Sequence, residues 1–326
     1  MERGGSRLAV VLLGALGLAA VTACQGPAPV PFPQLETSTL QAVCHLDVLC
    51  GAYPDQSTCL ASHQVETQSY YDTLGQDIES GKVVYDGDEA RACIDKLNAA
   101  SCTRDGPSPL HSAPACLTIF TGTVAVGGAC FFAEECASGD CQGADTTCSR
   151  AVQCCPGTCA SLAPPVAAGG SCLPPALCAP GLICVLELNG TATCRATVGA
   201  GAPCPGYVPC ASGLYCDSVT MTCKIPGGAG AACNPARDST DCDIPYACDA
   251  TTSVCTPPLP VGAACDPTTG GCVPYASCDA ATGSCAARPS VGDPCDPTGA
   301  GPACLDGACD ATTALCTSMG TGGACS

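Results

Sequence analysis

Thirty-five cysteines in 326 residues constrain this chain more than any other feature. They make up about 11% of it, above the roughly 8–10% at which a disulfide scaffold becomes the expected architecture. In a reducing cytosol so many thiols would be reactive nucleophiles, so the count points to an exported, oxidised protein. The rest of the composition supplies no other source of stability. There is no Trp, with only 4 Phe and 8 Tyr against 38 Gly and 29 Pro. The 47% hydrophobic content is inflated by Ala and Cys and does not promise a large core. The expectation is a series of small units, each too short to stand without covalent help.

A fixed period supports this. Gly127, Gly169, Gly201, Gly230, Gly262, Gly292 and Gly322 each stand three residues before a cysteine, at intervals of 29–32 residues from Gly169 onward. Such self-similarity is the signature of a repeat architecture. The segments CDSVTMTC, CDATTSVC, CDAATGSC and CDATTALC place small or polar residues between two cysteines, which suits a β-hairpin or tight loop. Two registers fit. If Gly-x-x-Cys opens each unit, Cys325 begins one that has no partners in the sequence. If it closes each unit, five four-cysteine units span 174–326. They are Cys178, Cys184, Cys194, Cys204; Cys210, Cys216, Cys223, Cys233; Cys242, Cys248, Cys255, Cys265; Cys272, Cys278, Cys285, Cys295; and Cys304, Cys309, Cys316, Cys325. An eight-cysteine block over 120–173 remains, with Cys130, Cys136, Cys141, Cys148, Cys154, Cys155, Cys159 and Cys172. The closing register gives every cysteine except Cys24 a local partner and is the expected one. Two bridges per unit would contribute roughly 2–4 kcal/mol each by restricting the unfolded chain. Units without a shared core would string into an elongated rod.

Residues 37–119 differ from the repeats. Leu40, Val43, Leu46 and Cys50 fall on one helical face, with Gly51 as a stop; Ser57 to Leu74 is a second helical stretch. Asp86 or Asp88 could cap a third helix through Ala90, Cys93, Ile94 and Leu97. Cys44, Cys50, Cys59, Cys93, Cys102 and Cys116 allow three bridges in 15 possible connectivities. The fold class expected is therefore a small disulfide-rich repeat protein of short β-hairpins and loops, elongated, preceded by a small α-helical disulfide-crosslinked domain.

The N-terminus explains export. Arg3 and Arg7 precede an uncharged apolar run, Leu8 to Val21, too short for an untilted membrane span and suited to a signal peptide. It ends in Val21-Thr22-Ala23-Cys24, which resembles the lipobox of bacterial lipoprotein signal peptides. That resemblance implies cleavage after residue 23, lipidation of Cys24, and, with no Asp following, the outer membrane. The competing reading is an ordinary signal peptide cleaved nearby. Residues 24–36 would be a Pro-rich tether. Removing residues 1–23 leaves 9 basic against 28 acidic residues, which argues against nucleic acid and anionic lipid surfaces as partners.

The stretch GACFFAEECASGDCQGADTTC, followed by QCCPGTC, resembles the Dickkopf N-terminal cysteine-rich domain over about 45 residues. Its CCPGTC is one residue tighter than that family's centre, and a long Ala/Pro insert precedes Cys172. The whole layout resembles cysteine-rich lipoproteins common in myxobacteria. The Wnt co-receptor binding of animal Dickkopf proteins is not carried over, because fold resemblance does not transfer function.

Cys136-x4-Cys141, Cys304-x4-Cys309 and Cys155-x3-Cys159 match zinc-ligand spacing, but no Cys-x2-Cys occurs and no His is near, so disulfides and no metal are expected. Asp217, Asp249, Asp279 and Asp310 follow the third cysteine of the pattern. One carboxylate per unit is too few for calcium, and an Asx-turn is expected. Asp86-Gly87-Asp88-Glu89 reads as a helix start rather than a calcium loop. His45, His63 and His111 have no catalytic companions identifiable from sequence. Gly199-x-Gly201 and Gly228-x-Gly230 lack the remainder of a nucleotide loop, and the sequon Asn189-Gly190-Thr191 is expected to be unused. No cofactor and no enzymatic activity are expected. The expected role is a non-enzymatic cell-envelope lipoprotein, periplasmic or at the cell surface, that binds an extracellular or envelope protein or polysaccharide. The alternative is an inhibitor or ligand-sequestering protein acting through one exposed loop. Cys184 to Cys194, with Val185, Leu186 and Leu188, is the first suspect.

Overall fold

The computed structural model describes residues 27–102, 110, 113–143, 155–162, 164–172, 178–179, 181–186, 190–206, 208–235, 241–268, 270–299 and 301–317. Cys24, His111, Cys148, Cys154, Leu188, Asn189, Gly322 and Cys325 lie outside them. Among the described residues the architecture is a helical domain followed by six small disulfide-bonded β units. Among the described residues no helix is long and apolar enough to cross a membrane.

Helix α1 spans Phe32–Leu49, α2 spans Gln56–Glu79 and α3 spans Gly87–Asn98; β1 is Val83–Tyr85 and β2 is Phe120–Gly122. Each helix start has a local cause. Pro31 and Pro33 flank the start of α1, where a missing N–H costs nothing. Asp55 caps α2 by accepting from Thr58 N–H at 2.8 Å. Asp86 caps α3, accepting from Asp88 and Glu89 N–H at 2.9 and 3.1 Å, as a helix start requires. Gly51, at φ +73°, ends α1.

The domain begins earlier than the expected tether allows. Val30 and Leu35 are each 1% exposed, packed with Ala90, Ile94, Leu97 and Ile119. Val30 N–H donates to Gly87 O at 3.0 Å, and the Tyr85 hydroxyl donates to Val30 O at 2.6 Å. Apolar Val30, Phe32 and Leu35 draw this Pro-rich stretch into the core, so at least residues 30–36 belong to the domain. It also extends past 119, since β2 pairs antiparallel with β1. Three disulfides tie it: Cys44–Cys59 joins α1 to α2, Cys50–Cys102 joins the end of α1 to the chain after α3, and Cys93–Cys116 joins α3 to the turn Pro114–Leu117.

The repeats carry a correction. The disulfides run Cys172–Cys184 and Cys178–Cys194, Cys204–Cys216 and Cys210–Cys223, and Cys233–Cys248 and Cys242–Cys255. The same order continues with Cys265–Cys278 and Cys272–Cys285, then Cys295–Cys309 and Cys304–Cys316. The Gly-x-x-Cys cysteine therefore opens each unit, and the closing register is wrong. In every unit the first cysteine bonds the third and the second bonds the fourth.

The eight-cysteine block also dissolves. Cys130–Cys141 and Cys136–Cys159 follow the same order, while Cys172 belongs to the next unit. This stretch is unit 1, enlarged between its third and fourth cysteines. Cys155, inside the enlargement, is disulfide-bonded to a partner outside the described residues.

The backbone shows why the glycine opens the unit. Gly127, Gly169, Gly201, Gly230, Gly262 and Gly292 all have φ between +76° and +89°. Each donates its N–H to the fourth-cysteine carbonyl at 2.7–2.8 Å, and the fourth-cysteine N–H returns to the residue after the glycine at 2.8–2.9 Å. This two-way clasp closes the unit on itself, and the positive φ that forms it suits glycine.

Unit 1 contains β3 (Ala129–Cys130), β4 (Cys141–Gly143) and β5 (Gly157–Cys159) in the order β3-β5-β4. Units 2 to 6 each hold one antiparallel hairpin. These are β6 (Leu182–Leu186) with β7 (Ala192–Ala196), β8 (Tyr215–Asp217) with β9 (Thr222–Lys224), and β10 (Ala247–Cys248) with β11 (Cys255–Thr256). Then follow β12 (Ala276–Asp279) with β13 (Ser284–Ala287), and β14 (Ala308–Cys309) with β15 (Cys316–Thr317). The third and fourth cysteines face each other across every hairpin, yet each is bonded back to the start of its unit.

The array is held to the helical domain at both ends. At unit 1, Lys82 Nζ lies 2.7 Å from Glu135 and 3.2 Å from Asp77, and the Tyr70 hydroxyl donates to Glu134 at 2.8 Å. At unit 6, the Tyr53 hydroxyl donates to Asp306 at 2.8 Å, the Ser62 hydroxyl donates to the same carboxylate, and Leu305 packs against Cys44, Tyr53 and Cys59. The rod expected from the sequence is thus bent until its last unit meets its origin.

Candidate interaction surface on the repeat hairpins

The units share a frame and differ at their hairpin tips. In units 3 to 6 the Asp after the third cysteine makes the expected turn. Asp217 accepts from Val219 N–H at 2.8 Å and Asp249 from Thr251 and Thr252 at 2.9 and 2.7 Å. Asp279 accepts from Ala281 at 2.9 Å and Asp310 from Thr312 and Thr313 at 2.8 Å each. Those N–H donors hold the Asp249, Asp279 and Asp310 carboxyls below the usual carboxylate range, with Thr252, Ala281 and Thr313 the largest contributors in turn. Asp217 also pairs with Lys224 on the facing strand.

The residue two before the fourth cysteine turns each of these hairpins with positive φ: Met221 at 51°, Ser253 at 55°, Gly283 at 63° and Ala314 at 53°. The tip is therefore a fixed backbone turn on which side chains vary.

Units 2 and 3 use that freedom differently from the rest. Ile183 and Leu186 are 43% and 68% exposed, and Val219, Met221 and Ile225 are 76%, 48% and 72% exposed. Units 4 to 6 show mostly Ala, Thr and Ser at the same places, with Leu315 at 38% the exception. Charge divides the same way. Residues 160–232 carry Glu187, Asp217, Arg195 and Lys224, a neutral set, whereas 233–317 carry ten Asp against Arg237 and Arg288. The suspected Cys184–Cys194 loop is the longest of the five hairpins, with strands of 5 residues against two to four elsewhere. Val185 is half-buried there.

The other singled-out residues are placed as follows. His45 is exposed on α1. His63, on α2, gains companions that the sequence did not reveal: its Nε2 lies 3.6 Å from Asp47 and 3.4 Å from the Tyr53 hydroxyl. Burial, then Asp306, pushes the Tyr53 hydroxyl far up from its ordinary pKa. Ser62 directs its hydroxyl to Asp306. These groups are 240 residues or more apart along the chain from Asp306, and no local spacing could have signalled them. Clusters of three metal-type ligands such as Cys130, Cys136 and Cys159, or Cys44, Cys59 and His63, consist of disulfide sulfurs, which have no thiolate to offer a metal, plus at most one imidazole.

The extent of cross-linking places the chain in an extracellular or envelope setting, and its fold is compatible with a non-enzymatic role there. No family model, curated protein or solved structure matches this chain.

Proposed function

We propose that this chain is a non-enzymatic lipoprotein of the cell envelope, anchored through Cys24, that presents its repeats for extracellular interaction, adhesion or envelope structure. The observation that carries this reading is the sixfold use of one disulfide frame, with exposed side chains that vary on its hairpins. A frame repeated with variable tips suits many weak contacts whose strength adds through effective concentration. The Val21-Thr22-Ala23-Cys24 lipobox resemblance supports the anchor. Fatty-acid labelling of the native chain, lost in Cys24→Ala, tests it; unchanged labelling would refute that attachment point.

Display by many units is tested by binding to isolated cell envelopes as repeat units are removed one at a time. Graded loss is the expected result. Complete loss on removing unit 2 alone would instead favour the inhibitor or sequestering reading, for which the long apolar hairpin Leu182–Ala196 is the specific support.

A further inference from the structure

Strand β6 carries a second consequence that does not depend on lipidation or on the identity of an envelope partner. Cys194 N–H donates to Gly170 O at 2.9 Å, and Ala192 O accepts from Cys172 N–H at 3.0 Å. The backbone groups of Ala192 and Cys194 thus point away from β6. In an antiparallel ladder, directly opposed residues of such a pair both turn their groups outward. Their partners Leu186 and Cys184, and Leu182 opposite Ala196, must therefore present N–H and C=O groups on the outer edge of β6. Leu182 N–H confirms the direction by donating outward to Ala179 O at 3.0 Å. The Leu182 carbonyl, both Cys184 groups and the Leu186 N–H have no backbone partner among the described residues.

An edge of apolar residues that is unpaired among the described residues is a template for another strand. We propose that β6 is a homophilic edge, pairing antiparallel with β6 of a second copy of this chain to form a four-stranded sheet. The edge is self-complementary when Cys184 faces the partner's Cys184. Each Cys184 N–H then reaches the other's carbonyl, and each Leu186 N–H reaches the opposite Leu182 carbonyl, giving four backbone hydrogen bonds. The same register sets Ile183 against the partner's Val185 and Leu182 against the partner's Leu186, so every facing pair is apolar. Charge leaves this place open to a second copy. Two chains of net charge −18 repel, and β6 contains no charged residue within a neutral stretch of the sequence. Added salt should strengthen the contact by screening the repulsion between the chains.

Sedimentation velocity of the purified full chain over about 1–100 µM tests this, a range that spans micromolar dissociation. The expected result is a concentration-dependent dimer, favoured by salt. It should weaken at least tenfold in Leu186→Pro, which removes an outward N–H while sparing the bonds to β7, and in Ile183→Lys. An unchanged disulfide count in both variants shows that the unit still forms. A chain that stays monomeric at the highest concentration overturns the proposal, as does a dimer indifferent to both substitutions. A monomer that captures an extended apolar peptide at β6 would overturn it too, by giving the edge a different occupant.

Discussion

One residue position recurs through units 3 to 6 with a positive φ, and the units fill it with different amino acids. The residue two before the fourth cysteine adopts φ of 51–63° in units 3 to 6, a conformation that costs an ordinary side chain about 1–2 kcal/mol and glycine almost nothing. Unit 5 places Gly283 there, while unit 6 places Ala314. Ala314→Gly should therefore stabilise unit 6, offset partly by unfolded-state entropy to about 0.5–1 kcal/mol net. Gly283→Ala should destabilise unit 5 by a similar amount. Thermal unfolding of the two variants, read by hydrogen exchange in the affected hairpin, would show shifts of opposite sign; shifts of the same sign would contradict the turn assignment.

Lys82 poses a different residue-level question. Burial pushes the Asp77 carboxyl up despite Lys82, while Glu135, 0% exposed, is held down by Lys82 and the N–H groups of Phe131 and Phe132, which outweigh its burial. Lys82→Met would strand a buried carboxylate. The expected loss is about 3 kcal/mol, the low end for a broken buried pair because the Lys itself is half exposed. Lys82→Arg should recover most of it. A melting temperature unchanged in Lys82→Met would rule out a structural role for the pair.

At the scale of the element, each hairpin is joined to its unit by two disulfides and one glycine clasp, so damage should stay local. Replacing Cys272 and Cys285 together with Ala removes one of the two bridges of unit 5, at a cost of about 2–4 kcal/mol. Hydrogen exchange should speed up in Ala276–Ala287 and leave β6 and β7 unchanged. Loss of protection throughout the array would show that the units fold as one body. Acid acts on the turns in the same local way. The Asp249, Asp279 and Asp310 carboxyls have depressed folded pKa values. Their contribution is present above the unfolded value of about 3.9 and is lost as pH falls through the folded value. The amides of Thr252, Ala281 and Thr313 should shift in NMR spectra below about pH 4 with a midpoint under that of a free Asp. Amides that titrate with an ordinary Asp midpoint would contradict the turn bonds.

The hairpins, the Asx-turns and the Asp86 cap were legible in the sequence because each is settled within four to ten residues. The unit register was not. Counting cysteines favoured the arrangement that left none over, but the pairing is decided by a clasp between a glycine and a carbonyl 22–32 residues later, which no spacing records. The start of the domain is hidden for a related reason: the prolines of residues 24–36 point to a tether, and burial of Val30 and Leu35 against α3 overrides them.

At the scale of the molecule, the array leaves the helical domain through the Lys82–Glu135 contact and returns to it through Tyr53, Ser62 and Asp306. Neither contact joins sequence neighbours, and with local units the path between them is set by the five joints between the six units. Asp306→Ala should release unit 6 without unfolding it, enlarging the molecule in small-angle scattering while its disulfides remain intact. An unchanged radius of gyration would mean the closure does not depend on that carboxylate. The exposed apolar tips of units 2 and 3 lie between the two anchored ends, on the stretch of array free of acidic excess.

The central claim, one frame used six times, rests on connectivity, and peptide mapping of the non-reduced protein by mass spectrometry tests it directly. Digestion that isolates unit 5 is expected to yield Cys265–Cys278 and Cys272–Cys285, with the matching first-to-third and second-to-fourth pairs from the other units. Recovery of Cys285 bonded to Cys295, or of Cys278 bonded to Cys285 across its own hairpin, would contradict it.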